Sequence, residues 1–103
     1  MKISYSPEAR SDLYQIKRYI SNTLHNPIAA DHIIERILKD CSYLKKQPYM
    51  GIGVAGKFGK DTDLRYLICG NQFIFYRIQN DKIIVTRILD GRTDYMRILF
   101  FEG

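Results

Sequence analysis

The groups able to do chemistry in this chain are mostly cations. Lys57 and Lys60 lie in a segment punctuated by glycines, while Arg65, Arg77, Arg87 and Arg92 lie on or just beyond stretches of strand character, with Tyr95 close behind. A guanidinium grips phosphate or carboxylate in a planar fork, but its high pKa makes it a poor proton carrier near neutrality. Arg65, Arg77, Arg87, Arg92 and Tyr95 are therefore candidate contacts for a target or partner protein. Lys57, Lys60, Arg65 and Arg92 are the subset that would bind or polarise phosphate if the chain cut nucleic acid. The glycine-bearing segment, residues 49–62, lacks the Gly-Lys-Ser/Thr ending of a nucleotide-binding loop and reads as a surface loop. Cys41 and Cys69 stand far apart, and only His25 and His32 accompany them, so neither a metal centre nor another cofactor is expected. Both cysteines read as buried, reduced thiols.

These side chains need a scaffold. At 103 residues the chain suits one domain with one core, and 46% hydrophobic with 26% charged residues is ordinary globular composition. No apolar run approaches a bilayer span and the first residues lack a signal-peptide core, so no membrane association and a cytosolic location are expected. The formal charge of +5 favours an anionic partner: nucleic acid, a ribosome or an acidic protein segment.

Residues 2–5 alternate as a short strand. Ser6-Pro7-Glu8 then carries the signals of a helix start, and apolar residues recur at helical spacing from Ala9 to Leu24, predicting a helix over 7–24. Asn26-Pro27 restarts a helix, predicted over 28–46 and closed by Pro48. The short connection makes an antiparallel hairpin. From Leu64 the period changes, and 64–69, 72–79 and 82–89 read as strands joined by tight turns at Gly70-Asn71 and Asn80-Asp81. Residues 94–101 suit one helical turn or a last edge strand. The expected fold is α+β: an N-terminal strand and a helical hairpin packed on a mainly antiparallel sheet.

Counting outward from two-residue turns pairs Cys69 with Gln72, Tyr66 with Phe75, Tyr76 with Val85 and Ile74 with Arg87. One face then collects Leu64, Tyr66, Ile68, Phe73, Phe75, Arg77, Ile84, Thr86 and Ile88. The other collects Arg65, Leu67, Ile74, Tyr76, Ile78, Ile83, Val85 and Arg87. An apolar count alone buries the first face under the helices and exposes Arg65, Tyr76 and Arg87.

The order of several segments resembles the ParE branch of the RelE/ParE toxin superfamily. They are Tyr5-Ser6-Pro7-Glu8-Ala9 with Asp12-Leu13, Pro27-Ile28-Ala29-Ala30, Asp63-Leu64-Arg65-Tyr66-Leu67, the run from Gly70 to Arg77, and the closing run from Arg87 to Tyr95. The resemblance implies the toxin of a type II toxin–antitoxin module, neutralised by a cognate antitoxin, with a homodimer or a toxin–antitoxin hetero-oligomer as the assembly. ParE-like members inhibit DNA gyrase; RelE-like members cut mRNA on the ribosome with basic side chains on the open sheet face. Aligned through the turns, those basic positions fall on Leu64, Tyr66, Ile68 and Phe73, with only Arg92 a match. Tyr95 stands near a family aromatic at different spacing, and Asp90 where relatives often carry histidine. This departure favours the binding toxin over the endoribonuclease. It also makes the Leu64–Phe73 face the open one, against the apolar count, and the two orientations stay open.

Overall fold

The computed structural model describes residues 1–101. Strand β1 (Lys2–Tyr5) leads into helix α1 (Pro7–Arg18), a π-helical turn (Tyr19–Thr23) and helix α2 (Pro27–Tyr43). Next come strand β2 (Ile52–Gly53), the short helix α3 (Val54–Phe58), strands β3 (Arg65–Cys69), β4 (Gln72–Gln79) and β5 (Lys82–Asp90), and helix α4 (Tyr95–Phe100). The sheet order is β1-β5-β4-β3-β2, with β1 parallel to β5 and the remaining pairs antiparallel. The expected α+β layout is observed.

Local chemistry explains the helix starts. Ser6 Oγ accepts a hydrogen bond from the Ala9 amide at 3.0 Å, and its hydroxyl donates to the Thr86 carbonyl at 2.8 Å. The residue that caps α1 thus also ties it to β5. Asn26 Oδ1 accepts from the Ala29 amide at 3.1 Å and caps α2, with Pro27 as the first helical residue. Between the helices, regular α-geometry ends at Arg18 rather than running to Leu24. The wider π-turn follows, and His25 adopts φ 52° to reverse the chain. The second helix ends at Tyr43, short of Lys46, with turns carrying the chain on to Pro48.

Two expectations are corrected. Residues 49–62 are not simply a loop: Ile52–Gly53 pairs with Tyr66 and Arg65 as an edge strand, and Val54–Phe58 is helical. The anchor is Tyr76, fully buried, whose hydroxyl donates to the Pro48 carbonyl at 2.7 Å and accepts from the Gly51 amide at 3.0 Å. A Cβ on Gly51 would fall 2.5 Å from that hydroxyl oxygen, so the close approach demands glycine. Burial pushes the Tyr76 phenol pKa up, keeping it a neutral donor.

The second correction concerns the sheet. The tight turns hold: Cys69 faces Gln72, Tyr66 faces Phe75, Tyr76 faces Val85 and Gln79 faces Lys82. A bulge at Phe75/Tyr76 then shifts the far half of β5 by one residue. Ile74 faces Ile88 and Phe75 faces Arg87, not Ile74 with Arg87. The helices cover Ile74, Tyr76, Ile83, Val85 and Ile88, together with Ala9, Ile37, Cys41 and Leu44, which is the face the apolar count left outside. The other face holds Leu64, Tyr66, Phe75 and Leu89, and it too is covered, by Val54 and Phe58 of α3 and by Tyr95, Ile98, Leu99 and Phe100 of α4. The tail is thus helical, not an edge strand.

Candidate functional site

The outer sheet face is an aromatic layer. Tyr66 and Phe73 stack with ring centroids 5.4 Å apart, and Tyr95 lies 5.1 Å from Phe73, 5.6 Å from Phe75 and 5.8 Å from Phe58. Asp94 caps the helix that delivers Tyr95, its side chain accepting from the Arg97 amide. At the margin Lys60 places its ammonium 4.9 Å from the Phe101 ring centroid and 5.7 Å from that of Phe100. Of the positions where a RelE-like nuclease would carry cations, Leu64 and Tyr66 are buried, Phe73 is half-buried and Ile68 is exposed. Toward solvent the face continues at the β2–β3 edge as Ile52 and Ile68, 48% and 57% exposed, an apolar strip that a partner could cover.

A second feature lies at the opposite margin of the inner layer. A cleft of about 700 Å³ opens where the π-turn, the first half of α2, the β3–β4 turn and the end of β5 meet. Its floor is apolar, with Ile16, Ile20, Ile33 and Cys69; its rim is polar, with Asn26, Arg36, Gln72 and Arg92. Gln72 Oε1 is buried there without a hydrogen-bond partner among the described residues. An acceptor left so is costly unless a donor reaches it. Leu24 and Ile28, at the tip of the helical hairpin, are 55% and 69% exposed beside this opening.

The structure disperses the cationic candidates. Arg92 stands at the cleft mouth, held by Asp90 through Nε–Oδ1 and Nη2–Oδ2 hydrogen bonds of 3.1 and 2.9 Å. Hydrogen bonds from the Arg92 side chain, then its amide, lower the Asp90 carboxyl pKa, so the pair stays ionised near neutrality. Arg87 forks onto Asp12 of α1 at 2.8 and 3.0 Å, and the Ile88 amide donates to the same carboxylate at 2.8 Å, joining helix to strand. Arg65 donates to the Gly51 carbonyl at 3.3 Å and lies 5.1 Å above the Tyr49 ring, bracing the β2 edge. Arg77 Nε lies 3.4 Å from Asp63. Lys57 sits exposed in the last turn of α3. These residues do not converge on one point.

Sequence reasoning did not single out the cleft. Its polar rim comes from three separate parts of the chain, α2 with its cap, the start of β4 and the segment after β5, and the only advance signal was apolar residues at a helical turn, Leu24 and Ile28, where solvent exposure is usual. Among the described residues no group of three or more His, Cys, Asp or Glu side chains could hold a metal ion, and no helix is long and apolar enough to cross a membrane.

The chain places a short helical hairpin on one face of a five-stranded sheet and a small C-terminal helix on the other. The solved structure described as the chromosomal ParDE TA system from P. aeruginosa superposes with a TM-score of 0.73 at 19% identity, covering 87% of this chain and 95% of that one. The family model for the ParE toxin of the type II toxin–antitoxin system parDE matches residues 3–95, and the chain belongs to that family. A search of curated proteins by sequence finds no match.

Proposed function

We propose that this chain is a growth-inhibiting toxin that acts in the cytosol by binding DNA gyrase, not by cutting RNA, and that a cognate antitoxin neutralises it in a hetero-oligomer. The observation that carries the reading is the aromatic outer face. Hydrolysis of RNA needs groups that deprotonate a 2′-hydroxyl, protonate a leaving oxygen and stabilise added negative charge. Where such groups would stand, Leu64, Tyr66 and Phe73 are packed against α3 and α4. Arg92, the one basic match, is engaged with Asp90. The exposed apolar strip of Ile52 and Ile68 suits contact with a protein.

The cleft suits the antitoxin. An amphipathic segment could seat apolar side chains on Ile16, Ile20 and Ile33, offer carboxylates to Arg36 and Arg92, and donate to Gln72 Oε1. The experiment is gyrase supercoiling of relaxed plasmid with the purified chain added. Supercoiling should stop, and the cognate antitoxin should restore it. Undiminished supercoiling at excess toxin, using protein that arrests growth in cells, would contradict the gyrase assignment.

A further inference from the structure

The end of the molecule opposite the cleft has a different chemistry. Lys2 and Lys82 are register partners in the parallel β1–β5 pair. The Met1 ammonium donates to the Lys45 carbonyl at 3.1 Å, which brings the chain start against the end of α2, where Lys46 follows. All five residues are exposed. None of their charged groups has an ion-pair partner among the described residues, whose salt bridges involve Lys17, Arg77, Arg87 and Arg92. The β4–β5 turn next to Lys82 carries one acid, Asp81.

This arrangement is unfavourable in the isolated protein. Like charges directly opposed on neighbouring strands repel. An edge lysine can protect a strand from unwanted pairing, which accounts for Lys2. It does not account for Lys45, Lys46 and the chain terminus, which lie outside the sheet. A polyanion would relieve the repulsion.

We propose that this basic end binds the phosphate backbone of duplex DNA without reading its sequence. The charges are all amines on flexible stems, with no arginine fork among them, so they do not select single carboxylates in fixed geometry. Register-free attraction suits a duplex, whose charges recur about every 1.7 Å along its axis. A protein partner would need an apolar centre, and a single strand would need stacking platforms; four lysines and Met1, the residues that form this end, supply neither. The inference is independent of the gyrase assignment, because it concerns the toxin alone. It would let the toxin hold DNA beside any DNA-bound target.

The test is fluorescence anisotropy of a short labelled duplex of arbitrary sequence at pH 7 as salt is raised. Five phosphate contacts predict a slope of log K against log salt of about −4.5, or about 500-fold weaker binding between about 50 and 200 mM. Lys2→Gln/Lys82→Gln and Lys45→Gln/Lys46→Gln should each cut that loss to about 40-fold. Both pairs are exposed, so far-UV circular dichroism should not change. Lys57→Gln/Lys60→Gln, away from this end, should leave the slope as it is. Three results would overturn the proposal: no binding at the lowest salt, an equal effect of the Lys57/Lys60 pair, or tighter binding of polyglutamate than of the duplex.

Discussion

The two faces of the sheet are both apolar, yet they are closed in different ways. The inner face lies under α1 and α2, each capped by its own side chain, and is cross-tied by Asp12 to Arg87 and by Tyr76 to Gly51 and Pro48. The outer face is closed by α3 and α4, of five and six residues, the latter near the chain end. Isolated helices so short have little stability of their own, so α4 persists only through the rings it covers. A hydrophobic face shut by a weak element can be opened at moderate cost. On the proposed reading, the inner face contributes most of the stability and the outer face contributes to recognition.

Paired substitutions should make the difference measurable. Ile37→Ala, at a fully buried site under the inner face, should cost about 4 kcal/mol in urea unfolding. Tyr95→Ala strips α4 from the outer rings and should cost only about 1–2 kcal/mol, while raising the binding of a hydrophobic dye. Equal losses at the two sites would dissolve the distinction.

The ion pairs sharpen it further. Asp12→Ala removes the carboxylate shared by the Arg87 fork and the Ile88 amide at a largely enclosed site, and should cost about 2–3 kcal/mol. Asp90→Ala, whose partner Arg92 is 85% exposed, should stay within about 0.5 kcal/mol by the same measurement.

Much of this scaffold is readable from residues alone, and the failures have physical causes. Ser6-Pro7 and Asn26-Pro27 act locally, so the helix starts are legible. Asn80 and Asp81 take φ of 53° and 59°, as a tight hairpin turn requires, and the first pairings follow. The choice of face was not legible. It depends on the bulge at Phe75/Tyr76, which moves Ile88 to the inner side, and on α4, whose six residues are too few to show periodicity. The structure of residues 49–62 was hidden because Gly51 answers to a tyrosine 25 positions away. The cleft was hidden for the same reason: its parts meet only in three dimensions.

The thiols add an effect that depends on pH. Burial pushes the Cys41 and Cys69 pKa values up to about 11 from an ordinary 9.0. A folded-state pKa above the unfolded one means the contribution to stability is complete below about pH 9 and fades as pH rises toward 11. Unfolding scans should show that alkaline decline, shallower in Cys41→Ala/Cys69→Ala. Some decline should remain, because the Tyr5 and Tyr76 pKa values are raised as well. A decline identical in the double variant would remove the thiols from the explanation.

The most direct test of the central claim, inhibition by binding without RNA chemistry, is primer extension on translated mRNA from cells arrested by the toxin. Transcripts should remain intact with the wild-type chain and with Arg92→Ala alike, because the outer face carries aromatic rings where a nuclease needs cations. Discrete cuts at the ribosomal A site that appear with the wild-type protein and vanish in Arg92→Ala would contradict the account and assign the chain a catalytic site.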